Sequence, residues 1–150
     1  MTVSRTGVAH AARRLIAAAG LLLVVAPAAW ADGQRPGPIV KTLIEATTTG
    51  DGQPLVYPTG KPLITSRLVE IPPGGEIPRH RHPTPLFAYI LEGELTIHGD
   101  GLPPRRFKAG DAFMELAGWH AGRNETSAPV RLLSVYSGAV GIPLSERAGH

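Results

Sequence analysis

Glycine and proline constrain this chain more than any other feature. Of 18 Gly and 15 Pro in 150 residues, two Gly and one Pro fall in the first 31, leaving thirty such residues in the last 119. Proline removes a backbone donor and crowds the preceding helical turn, and glycine costs a helix conformational entropy. Helices of ordinary length therefore have little room beyond residue 31. The segments between the breaks are short and β-prone: Ile39–Ala46, Leu63–Ile71, Leu86–Glu92, Leu95–His98, Arg106–Lys108, Ala112–Leu116 and Val130–Tyr136. Turns such as Pro72-Pro73-Gly74-Gly75, Glu92-Gly93-Glu94 and Gly99-Asp100-Gly101 separate many of them. The pattern predicts one small all-β domain of the sandwich, barrel or jelly-roll kind. No fixed-period repeat points to a propeller or solenoid.

The first 31 residues read differently. Arg5, Arg13 and Arg14 precede the twelve-residue apolar run Leu15–Ala26, and Pro27 with Ala29-Trp30-Ala31 supplies a helix breaker and a small-residue cleavage site. This is the pattern of a helical signal peptide cut before Asp32, placing the mature protein in the periplasm or outside the cell. Twelve apolar residues fall short of the about 20 that span a bilayer, so no stable membrane anchor is expected after cleavage. Arg13-Arg14 also fits a twin-arginine leader, and the sequence does not choose between export routes. Residues 32–38 read as a flexible lead-in, 39–137 as the folded domain and 138–150 as a loosely held tail.

The leader also explains the charge. It holds three of the 15 Lys and Arg and none of the 12 Asp and Glu, so the remainder is formally neutral. A neutral domain has no general electrostatic reason to seek nucleic acid. Arg105-Arg106-Phe107-Lys108 is the one dense basic cluster left, and it reads as a solvated strand face. The absence of cysteine excludes disulfides, Cys-based zinc sites, iron–sulfur clusters and a thiol nucleophile. Neither a Gly-x-Ser-x-Gly elbow nor a Walker loop occurs.

Chemistry concentrates at the histidines. In an extended strand, residues two apart share a face, so His80 and His82 can converge on one metal while Arg79 and Arg81 turn away. His120 follows the turn after Gly110–Gly118, and an antiparallel barrel can bring it to the same inner wall. Imidazole suits zinc, iron, copper and nickel. His98 reads as a surface turn histidine. Phe87, Tyr89 and Phe113 read as packing residues, and Met114 and Trp119 as candidates for touching a ligand.

With those residues in view, the chain resembles a small single-domain cupin. Gly74, His80, His82 and Gly93 match the first cupin motif, and Gly110, Gly118, His120 and Asn124 match the second. Three departures stand out, one of them a Gly118-to-His120 gap one residue shorter than the family pattern. Leu86 occupies the position where the family pattern has a metal-binding Glu, and Leu116 replaces a proline. The resemblance implies a double-stranded β-helix (jelly-roll barrel), a homodimer, and a divalent transition metal (Fe, Mn, Zn, Ni or Cu) held by His80, His82 and His120. With Leu86 unable to ligate, three readings stay open: a three-histidine site, a site in which Glu115 substitutes as oxygen ligand, or a metal-free pocket lined by histidines. Leu86, Met114 and Trp119 are the pocket candidates, and Glu115 is the candidate proton carrier. The implied activity is metal-dependent oxygenation, isomerisation or lyase chemistry on a small organic molecule. The alternative is a non-catalytic ligand-binding module.

Overall fold

The computed structural model describes Thr2 and residues 35–149. The expected leader over 1–31, Thr2 excepted, and residues 32–34 of the lead-in lie outside the described residues. Ile39–His150 form one compact unit, and no helix occurs among the described residues. Nine strands follow in order: β1 (Pro62–Ile71), β2 (Glu76–Arg81), β3 (Leu86–Glu92), β4 (Glu94–Gly99), β5 (Arg105–Lys108), β6 (Ala112–Met114), β7 (His120–Arg123), β8 (Val130–Ala139) and β9 (Glu146–Arg147). They build a four-stranded sheet, β1-β8-β3-β6, and a five-stranded sheet, β5-β4-β7-β2-β9. All strand pairs are antiparallel.

Period-two alternation decides what each sheet buries. Along β3, Leu86, Ala88 and Ile90 point inward and are buried, while Phe87 and Tyr89 face out and are half-buried. Along β8, Val130, Leu132, Ser134 and Tyr136 are buried in the same rhythm. Leu95 and Ile97 of β4 meet them from the opposite sheet, and Phe107 stacks on Phe113 with ring centroids 3.8 Å apart. Each fully buried Leu or Ile contributes about 1.5–3 kcal/mol of transfer free energy. The turn into β4 depends on Gly93: its φ is +77°, and a Cβ there would lie 2.4 Å from the Pro129 carbonyl oxygen. Asn124, 1% exposed, ties the other end, donating to the Ile71, Pro72 and Ala128 carbonyls and accepting from Thr126.

Four sequence expectations are corrected. Ile39–Ala46 forms no strand and pairs with none among the described residues, and Ile39 and Val40 are 99% and 86% exposed. Its apolar content supplied strand propensity without a partner edge. Conversely, β2 and β7 are strands outside the seven expected segments: Pro78 interrupts one, and the other, His-Ala-Gly-Arg, has no β-branched residue. The tail is not loose: Gly138 and Ala139 continue β8, and Glu146–Arg147 pair with Arg81 and His80 of β2. The basic cluster is not wholly solvated, because Phe107 turns into the core.

Candidate metal centre

A bulge in β2 aims the first histidine. The β2–β7 register runs Glu76↔Arg123 and Ile77↔Gly122, then shifts to His80↔His120, so β2 carries one extra residue between the pairs. Pro78 sits in that interval and has no N–H to lose from the ladder. The extra residue changes the strand's phase. As a result Ile77 and His80, three apart, both line the inner cavity. Beyond the bulge, ordinary alternation turns His80 inward and leaves Arg79 and Arg81 exposed.

His80, His82 and His120 meet inside the barrel. One ring nitrogen from each lies within 4.8 Å of the others, and ring centroids are 4.4–5.3 Å apart. Each ring is held from behind by a carbonyl 2.8 Å from its Nδ1: Pro78 behind His80, Leu144 behind His82 and Gly118 behind His120. A carbonyl only accepts, so each Nδ1 carries the proton and each neutral ring presents a bare Nε2. The Nε2 atoms of His80 and His82 are 3.1 Å apart. Two lone pairs at that distance repel unless a cation lies between them. Burial, the largest cause for all three rings, lowers their pKa values, His82 to about 4. They are therefore neutral at pH 7, the form that ligates a metal.

Glu115 lies beside them. Its backbone N–H donates to the Leu86 carbonyl at 2.9 Å, so it sits across the ladder from the residue that replaces the motif carboxylate. Phe113 and Glu115, two apart, both point inward and are buried, whereas Met114 between them faces out. Glu115 Oε2 is 3.4 Å from His120 Nε2, and neither atom has a hydrogen-bond partner. Desolvation pushes this carboxyl up to about 7. Three imidazoles with bare, converging nitrogens and an orphaned buried carboxylate oxygen are a donor set that fits a divalent transition metal.

The pocket candidates divide. Leu86, 4% exposed, lines both cavities that reach the histidines, one of about 230 Å³ and one of about 240 Å³. Met114 and Trp119 line neither. Met114 is on the outer face of its strand. Trp119 also lies outside, with the Arg79 and Arg81 guanidinium carbons 4.8 Å and 5.0 Å from its ring. Their facing depends on register, which residue type alone does not reveal. His98 lies on the outer side as well, 2.8 Å from a Glu125 carboxylate oxygen.

Several residues of the site were not singled out from sequence. Ser134 and Tyr136 line the larger cavity, and the Tyr136 ring is 5.6 Å from that of His82. Alternation along β8 from Val130 would have placed them inward. Asp51 accepts from the Ala117 and Gly118 amides at 3.0 Å each, steadying the loop that leads to His120. No sequence signal pointed to it.

A jelly roll of two antiparallel sheets with three inward imidazoles is a cupin architecture whose histidine cluster could hold a metal ion. The family model described as a cupin domain matches residues 67–136, and the chain carries a cupin domain. Among solved structures, the DMSP lyase DddQ from Ruegeria pomeroyi DSS-3 is 25% identical with a TM-score of 0.50, covering 67% of this chain and 48% of its own. Lactobacillus farciminis oxalate decarboxylase is 26% identical with a TM-score of 0.48, covering 56% of this chain and 26% of its own. A sugar phosphate isomerase of the cupin superfamily from Silicibacter pomeroyi DSS-3 is 29% identical with a TM-score of 0.45, covering 49% of this chain and 50% of its own. The chain thus spans half or less of the length of each. No curated protein matches it.

Proposed function

We propose that this cupin domain is a metal-dependent enzyme performing proton-transfer chemistry, of the isomerase or lyase type, on a small organic molecule. The observation that carries the reading is the convergence of three Nε2 atoms whose Nδ1 partners leave them no proton. A bound divalent transition metal supplies a Lewis acid that polarises an oxygen of the substrate. His80, His82 and His120 hold it, and the carbonyls behind them fix ring orientation. Glu115, with its carboxyl pushed up to about 7, holds or releases a proton at Oε2 near neutral pH. Leu86, Val69 and Leu132 line the cavity and limit water around that proton.

The test uses the mature protein with its metal content measured. A small carbonyl acid in deuterated water should exchange its α-proton faster with loaded protein, and Glu115→Gln should abolish the exchange while metal content stays the same. Oxygen uptake by iron-loaded protein that survives Glu115→Gln would replace this reading with a dioxygenase. Ligand binding without turnover and insensitive to chelator would replace it with a binding module. We further propose export through the leader over 1–31 with cleavage near Ala31, checked by N-terminal sequencing of the periplasmic and secreted protein. The proposal includes pairing of two copies through the four-stranded sheet.

A further inference from the structure

The geometry points to a small organic carboxylate as the molecule this cavity takes, its carboxylate held between Arg67 and Arg147. This rests on the catalytic reading above for its place in a reaction, but the charge argument is separate. Arg67 lies in β1 directly across from Ser134 of β8, on the inward face. Arg147 lies in β9 directly across from His80 of β2, and its neighbour Glu146 turns outward to bind Arg81 at 2.6 Å. The two arginines, both exposed at the rim, thus come from opposite sheets and line one cavity of about 240 Å³.

Their isolation is informative. On the outer faces Arg79 pairs with Asp100, Arg81 with Glu146, Arg106 with Glu94 and Glu125, Arg123 with Glu76, and Arg131 with Glu70 and Glu92. Among the described residues, Arg67 and Arg147 have no carboxylate partner within ion-pair distance; Arg105 and Arg35 share that lack, but Arg105 donates to the Gly50 carbonyl and Arg35 lies in the lead-in. The sole acidic residue lining their cavity is Glu115. Two cations against one carboxyl leave the cavity positive even before a metal adds its charge. Guanidinium forks hold carboxylates in planar, bidentate geometry. Tyr136, 5.9 Å below the Arg67 guanidinium carbon, and Ser134 add hydroxyls, while Val69, Ile77 and Leu132 offer an apolar wall. The volume is below the about 300–1,000 Å³ of drug-sized pockets, which limits the ligand to a short chain.

The experiment titrates metal-loaded mature protein, its metal content quantified, with butyrate, malonate and 2-oxobutyrate against butyramide and methyl phosphate. At least one carboxylate should bind about tenfold or more tighter than the amide, and Arg67→Gln or Arg147→Gln should each remove most of that preference. Arg106→Gln, on the outer face, should leave it intact, and circular dichroism checks the fold of each variant. Equal affinity for acid and amide, preference for the phosphate alone, or a carboxylate preference surviving both arginine variants overturns the assignment. If metal loads but acids gain nothing, the carboxylate site fails and the metal centre stands. If no metal loads but the arginine-dependent preference persists, the metal centre fails and the carboxylate site stands.

Discussion

The two sheets bury the same core and present opposite outer surfaces. The five-stranded sheet supplies His80 and His120, and its exterior carries charge: Arg79 with Asp100, Arg123 with Glu76, His98 with Glu125, and Trp119 against Arg79 and Arg81. The four-stranded sheet shows a largely apolar exterior, its charge gathered at one end where Arg131 meets Glu70 and Glu92. Leu68 pairs across the ladder with Leu133, which pairs with Tyr89, and Val135 pairs with Phe87, which pairs with Met114. Leu68 is 59% exposed and the nearby Ile64 64%. Water satisfies the first exterior as it stands. A second protein surface would satisfy the other, because exposed apolar patches of this continuity mark interaction sites. Two of the three histidines thus come from the sheet whose outside is already satisfied by solvent.

The sharpest way to break this division is to strike the histidines. His120→Ala should cost about a third of the roughly 10–16 kcal/mol that structural zinc sites supply, seen as a loss of more than two orders of magnitude in metal affinity by competition with a chromophoric chelator. The outer-face variant Trp119→Ala should leave affinity nearly unchanged.

Next in size is the pH response of metal-free protein. His82, lowered from 6.5 to about 4, takes up its proton in the unfolded state before the folded one. Stability therefore falls as pH drops from about 6.5 to about 4, by about 3 kcal/mol at 1.36 kcal/mol per pH unit. Glu115, raised from 4.5 to about 7, acts in the opposite direction, and its contribution is lost as pH rises from about 4.5 to about 7. Urea titrations across pH 4–8 should show Glu115→Gln removing the second dependence and leaving the first.

Third is removal of residues 143–150. That deletes β9 and the Leu144 carbonyl behind His82, so metal affinity should fall about 10–100-fold, as for loss of an outer-shell partner. Unchanged affinity on isothermal titration would mean that the tail does not orient the ring. Smallest in stability is Leu68→Lys, expected within about 0.5 kcal/mol of the parent because the site is exposed. Its readout is assembly: by light scattering, the parent should run as a pair and the variant as a monomer. A parent that is already monomeric defeats the pairing proposal.

Most of the barrel was legible in the sequence, because alternation reports burial wherever a strand is flanked by partners. Leu86–Glu92 and Val130–Tyr136 were readable from that rhythm. Ile39–Ala46 had the composition without the partner, and a strand is a property of pairing. The two-residue β9 carries no local signal, since its existence is due to the edge of β2. At the site, His-x-His spacing and the motif glycines made the three histidines visible. The facing of Glu115, Met114 and Trp119 was not, because it depends on register among strands that are distant in the chain. Arg67 and Arg147 stood out only once their lack of acidic partners could be compared with the paired arginines around them.

The Glu115 amide bonded to the Leu86 carbonyl has a consequence for how relatives of this chain are sorted. Two neighbouring strands offer a side chain to the same small volume, so an acid group lost at one address can be restored from the next strand. A survey that scores cupins column by column would file this protein among those with an incomplete centre. Scoring the atoms around the point where the imidazoles meet would register the Glu115 carboxyl as well.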